Sequence, residues 1–224
     1  MGEKSIVPGK GIEITKQDKR ITVSQQGIEI RREGRSVSAE VKEIGFVYLV
    51  VDCSTSMGEG DKLNQAKRGT LNFVKDALAK DYLTGLIKFN SSATHLCEPT
   101  QKISVLDQHI EKMWASGSTN MVEAIQLTDQ KLKNKKGTRV MVVVTDGEPN
   151  GPGDPTASLE AGKKAKREGI DIITIGTDDA DQEFLRKLAS RTELGVKVSR
   201  EQFEKGITST AKMLPQLGPG KKGR

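Results

Sequence analysis

Residues 46–58 read FVYLVVDCSTSMG, in which six apolar side chains in succession lead into an acid and two serines at alternate positions. An uninterrupted apolar run of this length is typical of a strand that is buried on both faces. Such strands belong to parallel sheets that helices cover on both sides. The stretch therefore predicts a central parallel strand that ends in a polar loop.

Four further segments have the composition of strands. The apolar runs at 141–144 and 170–175 predict two more central strands. Residues 82–89 predict another, and residues 93–97 could pair beside it as a short edge strand. We therefore expect the strand at 46–51 to lie within a sheet of several strands.

Helical periods separate these strands, with apolar side chains recurring every three or four residues. Because strand and helix alternate, we predict an α/β fold, in which a doubly wound, mostly parallel central sheet carries helices on both faces. The predicted helices span 63–77, 122–132, 156–168, 179–190 and 203–214, and a short strand is predicted at 195–198.

The first 40 residues follow a different pattern, in which apolar and polar residues alternate as in half-buried antiparallel strands. We predict a small N-terminal β appendage at 1–43, an α/β domain at 44–214 and a flexible basic tail at 215–224. The alternating pairs are Ile12 and Ile14, Ile21 and Val23, and Ile28 and Ile30.

Oxygen-bearing side chains fall on three loops that the predicted topology places at one edge of the sheet. In an open α/β sheet, ligands bind beyond the carboxyl ends of the strands, where the strand order reverses. We therefore expect five side chains to converge there: Asp52, Ser54 and Ser56 after the first strand, Thr119 at a helix start, and Asp146 after residues 141–144.

These five side chains supply two carboxylates and three hydroxyls, all of them hard oxygen donors. Such donors favour Mg²⁺, Mn²⁺ or Ca²⁺ over zinc or copper. Two carboxylates balance the charge of a divalent ion, and Mg²⁺ normally keeps exchangeable water in its octahedron. The predicted cofactor is therefore Mg²⁺, with Mn²⁺ or Ca²⁺ as alternatives, and an Asp or Glu of a partner protein could enter its coordination sphere.

Each of the three loops also has a purely structural interpretation. Ser54 and Ser56 could cap the helix that begins near Asp61, and Thr119 could cap the helix that follows it. The Thr-Asp-Gly sequence around Asp146 could form an ordinary turn. The metal site is favoured because all three loops supply oxygen donors together.

The set Asp52, Ser54, Ser56, Thr119 and Asp146 resembles the metal-ion-dependent adhesion site of von Willebrand factor A domains in residue type, order and strand context. The resemblance covers approximately residues 44–214. It implies that the first Asp and the two Ser hold the ion directly or through water. It also implies that Thr119 joins in the ligand-competent state and that Asp146 acts through water.

The resemblance implies a metal-dependent adaptor module that captures a partner protein, rather than an enzyme. One alternative is an accessory subunit of an AAA-class ATPase or of a chelatase-like complex. A magnesium-dependent phosphatase is a less favoured alternative. Phosphatases of the haloacid dehalogenase type carry a second acid at the position of Ser54, and the chain has no Walker loop.

Composition limits the location and the partners further. The net charge of +6 is a mild excess, and aromatic residues make up only 4% of the chain, so we expect no nucleic-acid partner. No apolar run is long enough to span a membrane, and the first residues do not read as an export signal. We therefore predict a cytoplasmic protein in which Cys53 and Cys97 are free thiols.

Charge placement and one aromatic residue complete the expectations. Trp114, the single tryptophan, is expected to pack in the core or against the loop at 116–120. The edge with the metal site is expected to be comparatively acidic and the opposite pole basic, a pattern that helix dipoles also favour. The acids are Glu59, Asp61, Glu148, Asp154 and those in 178–181, and the bases are Arg139 and those in 131–136 and 163–167.

Overall fold

The computed structural model describes residues 43–150 and 155–218, together with the backbone of five strands between residues 5 and 41. The chain divides into two compact units. One unit is Gly45–Pro215, and the other combines Met1–Ile44 with Gln216–Arg224. Within the predicted tail at 215–224, residues 219–224 lie outside the described part.

The N-terminal unit contains a five-stranded antiparallel sheet in which each strand pairs with the next along the chain. The predicted apolar alternation corresponds to its middle strands, where Val23 pairs with both Ile14 and Ile30. Ile12 lies outside the described residues. The strands are β1 (Ser5–Ile6), β2 (Glu13–Gln17), β3 (Arg20–Gln25), β4 (Ile28–Glu33) and β5 (Ser36–Val41).

The second unit is built on a six-stranded sheet, parallel except for one edge strand. Its order is β11-β10-β9-β6-β7-β8, and only β8 runs antiparallel to its neighbour. This confirms the predicted α/β class with a mostly parallel central sheet. The strands are β6 (Gly45–Asp52), β7 (Tyr82–Phe89), β8 (Ala93–Thr100), β9 (Thr138–Thr145), β10 (Asp171–Gly176) and β11 (Gly195–Lys197).

Six α-helices in the described residues connect and flank these strands. Helix α2 was not predicted from the sequence, although Leu106 and Ile110, which are both buried, have helical spacing. No helix in this described part combines the length and apolar character needed to cross a membrane. The helices are α1 (Lys62–Leu78), α2 (Ile103–Glu111), α3 (Met121–Leu132), α4 (Pro155–Arg167), α5 (Gln182–Leu188) and α6 (Phe203–Thr210).

The predicted helix at 179–190 is shortened at both ends to form α5. Asp178 has a positive φ of 48°, which interrupts the chain before the helix. Asp181 then caps it, because its carboxylate accepts a hydrogen bond from the Phe184 N–H at 2.5 Å. Ala189 has an extended ψ of 155° and ends it.

Helices cover both faces of the central sheet, as the continuous apolar strands predict. Tyr48 and Val50 of β6 join a buried cluster with Ile125 of α3, Ala165 of α4 and Leu188 of α5. Helices α1 and α6 pack together, and both also contact strands of the sheet, α1 at β7 and α6 at β10. Because successive residues of a strand point to opposite faces, β6 is buried on both sides.

The strand order places a reversal point at the centre of the sheet. From β6 the chain first forms β7 and β8 on one side, and then crosses over to form β9 and β10 on the other. The carboxyl ends of β6 and β9 therefore flank the crevice where doubly wound folds bind ligands. Asp52 ends β6 and Thr145 ends β9, so their loops meet at this crevice.

A tight helix contact can be tested with Gly69→Ala on α1. A methyl group there would lie 2.9 Å from both the Glu204 carbonyl and Ile207 Cβ of α6. Alanine favours a helix by about 1 kcal/mol over glycine, but overpacking against backbone costs about 1–3 kcal/mol. We expect a net loss of about 1 kcal/mol in urea unfolding. Gly162→Ala is the comparison, because the close contact of its methyl group would be with the side-chain tip of Leu188 rather than with backbone, so we expect a smaller loss.

Candidate metal centre

The Asp52 carboxylate lies at the centre of the site and has no solvent exposure. One of its oxygens accepts the Ser54 backbone N–H at 2.8 Å. The other accepts the Thr145 hydroxyl at 2.7 Å, which joins the end of β6 to the end of β9. Asp52 is therefore fixed from two strands at once.

Three of the other predicted ligands form a continuous chain of polar oxygens. The hydroxyls of Ser54 and Ser56 lie 3.2 Å apart. The Ser56 hydroxyl donates to Asp146 Oδ1 at 2.9 Å, and Asp146 is buried. The structure thus brings Asp52, Ser54, Ser56 and Asp146 together at the crevice.

Thr119 reaches the same edge through the loop that carries it. The Ser116 N–H donates to the Cys53 carbonyl at 2.8 Å, and the Thr55 N–H donates to the Gly117 carbonyl at 3.0 Å. The buried Thr119 is held in turn by Asn150, whose side-chain oxygen accepts the Thr119 N–H at 2.9 Å. The loop after β6, the loop before α3 and the loop after β9 are therefore joined by hydrogen bonds.

The capping roles considered for the serines and Thr119 are not found. Asn120, not Thr119, occupies the N-cap of α3 and accepts from the Glu123 N–H. The N-cap position of α1 is Asp61. Ser54 precedes the 3₁₀ turn Thr55–Gly58 without a side-chain capping bond. The hydroxyl groups are therefore not accounted for by helix termination.

Lys62 is a buried cation of the site that the sequence analysis missed. Its ammonium lies 2.6 Å from Asp146 Oδ2 and 3.2 Å from Asp178 Oδ2, and only 4% of the side chain is exposed. Arg200 pairs with Asp178 at 2.6 Å and completes a chain of alternating charges. Lys62 is the first residue of α1, where a positive charge is unfavourable because it opposes the helix dipole. This placement was the feature of the sequence that could have indicated a specific acidic partner.

The pKa values of Asp52 and Lys62 are both raised, for different physical reasons. Burial raises the pKa of Asp52 to about 6, although the hydrogen bonds from Thr145 and Ser54 oppose this shift. Burial disfavours the Lys62 ammonium, but Asp146 and Asp178 outweigh it and raise the Lys62 pKa. Asp52 is thus a desolvated carboxylate, and neither of the groups that donate hydrogen bonds to it is a cation. Such a carboxylate fits a site that binds an added positive charge.

The donor set is that of a hard cation. Burial and the neighbouring Asp52 raise the pKa of Cys53 to about 12, so its thiol stays protonated and offers no soft ligand. Within the described ranges, no group of three or more His, Cys, Asp or Glu side chains forms a metal site of another kind. Two carboxylates with hydroxyl groups fit Mg²⁺, Mn²⁺ or Ca²⁺.

The acidity expected around the site is partly neutralised. Asp178 pairs with Lys62 and Arg200, and the exposed Asp61 lies 3.2 Å from Arg68. Asp154 lies outside the described residues. Several acids at this edge therefore have basic partners, so a partner's carboxylate would meet less repulsion than the sequence suggested.

Of the two positions expected for Trp114, the core is wrong, because 61% of the residue is exposed, and packing against the loop at 116–120 stays a prediction. The preceding residue, Met113, is buried in its place. The Lys88 ammonium lies 3.7 Å from the centroid of the indole ring, within the range of a cation–π contact. The local sequence does not distinguish which of these two large apolar residues points inward.

Comparison with known families identifies the fold and the class of the domain. The model of the von Willebrand factor type A domain matches residues 47–210. That match covers most of the chain and includes all five predicted ligands. The chain therefore belongs to the von Willebrand factor type A domain family, as the resemblance indicated. Domains of this family are generally interaction modules.

Individual relatives are more distant. An uncharacterized protein of Mycobacterium tuberculosis is 26% identical over 159 residues, which cover 68% of this chain and 25% of that protein. The chain thus spans about a quarter of this relative. The vWF domain of the type V pili tip protein Mfa5 of Porphyromonas gingivalis has a TM-score of 0.67 at 14% identity, covering 77% of this chain and 95% of that one.

A further similar structure contains a bound metal. Proximal thread matrix protein 1 of the mussel byssus, with a zinc-occupied MIDAS motif, has a TM-score of 0.67 at 17% identity. The match covers 81% of this chain and 49% of that protein. At this identity the likeness shows the fold alone, so the candidate ligands of the present chain are judged from its own geometry.

The cost of burying the Asp52 charge can be measured with Asp52→Asn in metal-free buffer. The folded-state pKa of about 6 exceeds the ordinary value of 3.8, so ionised Asp52 destabilises the fold above about pH 6. We expect the variant to be about 2–3 kcal/mol more stable at pH 7, and to lose this advantage below about pH 4. Urea unfolding across pH measures this, with the exposed Asp76→Asn as control. A variant less stable than wild type at pH 7 would contradict it.

The role of Lys62 can be tested with Lys62→Met. Removing the ammonium leaves the buried Asp146 carboxylate without its cation, and breaking a buried ion pair costs about 3–5 kcal/mol. We expect that loss in metal-free unfolding, and a larger rise in Tm with Mg²⁺ than in wild type, because the site is more negative. Lys75→Met, on the exposed face of α1, should change neither quantity. Equal Mg²⁺ responses in Lys62→Met and wild type would refute this role.

Proposed function

We propose that this domain binds one divalent metal ion through Asp52, Ser54, Ser56, Thr119 and Asp146 and uses it to capture a partner protein. The observation that carries the proposal is the chain of hydrogen bonds from the buried Asp52 through Ser54 and Ser56 to the buried Asp146, at the reversal point of the sheet. Mg²⁺ is the proposed ion, with Mn²⁺ or Ca²⁺ as alternatives, because all five donors are hard oxygens.

The proposed roles differ between the charged and neutral ligands. Asp52 would bring its negative charge to the ion, directly or through water. Ser54 and Ser56 would place neutral hydroxyl groups beside it and would add no charge. Asp146, whose Oδ2 already pairs with Lys62, would act through water. Because the Lys62 ammonium offsets the charge of Asp146, the two carboxylates would leave net positive charge around the ion, which favours an incoming Asp or Glu of the partner.

A binding role is favoured over catalysis because neither histidine of the chain lies at this edge to act as a general base. The two histidines of the chain lie elsewhere, with His95 on β8 bonded to the Tyr48 hydroxyl at 3.1 Å and His109 on α2. A metal ion bound at this site would attract a carboxylate electrostatically. The partner would be a protein that presents an acidic side chain on an exposed segment.

We also propose a cytoplasmic location. Cys53 and Cys97 are both free thiols in the structure, as the sequence analysis expected. Unpaired cysteines are usual in reducing compartments. The structural similarity to pilus proteins is at 14% identity and carries no information on location.

Thr119→Ala tests the division between holding the ion and capturing the partner. Both carboxylates remain, so calorimetry should show Mg²⁺ affinity falling by about fivefold or less, the value of one neutral contact. Binding of an acidic peptide, selected from a random displayed library in Mg²⁺, should fall by about tenfold or more. EDTA should release the peptide from wild type.

The matched control is Ser118→Ala on the same loop, whose hydroxyl lies 3.2 Å from that of Ser91 and is not a proposed ligand. It should bind both the ion and the peptide as wild type does. A peptide held equally by wild type and Thr119→Ala, with or without EDTA, would show that the metal edge is not the binding surface.

A further inference from the structure

We propose that Trp114 is a second contact point for the captured protein, which would present an apolar or aromatic side chain to the indole and an Asp or Glu to the metal. This inference rests on the proposed function, because the same partner would occupy both points. The partner would therefore be recognised by a short segment that combines one acid with one large apolar residue.

The backbone around Trp114 is fastened to the metal-site loop. On one side of it, Met113 is buried beneath the surface. On the other side, Ala115 packs closely against Gly58, which directly follows Ser56 and Met57. Its Cβ lies 3.3 Å from the position that a Cβ on Gly58 would occupy. The Ser116 N–H then bonds to the Cys53 carbonyl. Trp114 thus lies on a segment anchored at both ends, beside the proposed ligands.

The Lys88 contact places the indole ring at the same edge of the sheet. Lys88 pairs with Val51 in the register of β6 and β7, and the next pair is Phe89 with Asp52. The ring that lies over Lys88 is therefore close to the carboxyl end of β6. A cation–π contact restricts the ring's orientation, and a fixed aromatic ring loses little conformational entropy when a partner binds.

The exposure of Trp114 is unusual for this molecule. Ile103 is the other large apolar residue exposed among the described residues, at 39% against 61% for Trp114. Tryptophan is enriched among the residues that dominate binding energy at protein interfaces. Ile103 begins α2, whereas Trp114 follows the end of that helix, so the two do not form one patch.

Charge also favours an acidic partner segment at this position. The Lys88 ammonium covers part of the ring, and the Lys67 ammonium donates to the Glu111 carbonyl at 2.8 Å, three residues before Trp114. A lysine or arginine of a partner would be repelled by these charges, whereas Asp or Glu would be attracted. The combination of an acid and an apolar residue fits both the cations and the exposed indole.

The experiment uses peptides selected from a random displayed library against the full chain in Mg²⁺. We expect the selected peptides to share an acid and a large apolar residue at a fixed spacing. Trp114→Ser should weaken their binding by about tenfold or more, whereas Trp114→Phe should retain most of it. Replacing the apolar peptide residue by Ser should weaken wild type more than Trp114→Ser. Because Trp114 is the single tryptophan, its fluorescence should also shift on binding.

The controls separate this inference from the proposed function. Mg²⁺ affinity measured by calorimetry should be unchanged in Trp114→Ser, and Ile103→Ser should bind the peptides as wild type does. Peptides that require Mg²⁺ but bind Trp114→Ser equally well would overturn the Trp114 contact and leave the metal-dependent function standing. Peptides that bind equally in EDTA would overturn the proposed function itself.

Discussion

The burial of the Asp52 carboxylate is the constraint on which the site depends. A strand with apolar residues on both faces is stable only between other strands and beneath helices, and Asp52 ends such a strand with no solvent exposure. Its charge must then be met by groups that the fold supplies, which here are the Ser54 N–H and the Thr145 hydroxyl. Two neutral hydrogen bonds only partly replace hydration, which is why its pKa remains high.

A chain of charges extends from the site into the surrounding helices. Asp146, Lys62, Asp178 and Arg200 alternate in sign and come from four separate segments of the chain. Each buried member is partnered, so the second carboxylate of the site is stabilised without any added ion. The two acids are therefore not equivalent, since Asp146 already has a cation beside it and Asp52 does not.

The sequence predicted the parts of the fold that depend on periodicity. The strand at 46–51 and the order of the three loops followed from uninterrupted apolar runs, because burial on both faces leaves a strong pattern. The Lys62 ion pair was missed because its partner Asp146 lies far along the chain, and the residues around a single lysine do not identify its partner. A core position for Trp114 was wrong because Met113 and Trp114 are adjacent apolar residues, and Met113 is the one that is buried.

The hydrogen bond from Thr145 to Asp52 joins residues separated by 93 positions in the chain. A nascent chain that has emerged only as far as α3 contains the residues of β6 and its polar loop, but still lacks β9, the strand that completes the crevice. Contacts so distant in sequence form late, after the intervening elements have been synthesised and have docked. Any affinity that depends on both carboxylates would therefore be absent from unfinished or half-folded molecules, and only a chain that has inserted β9 would be competent for the proposed binding.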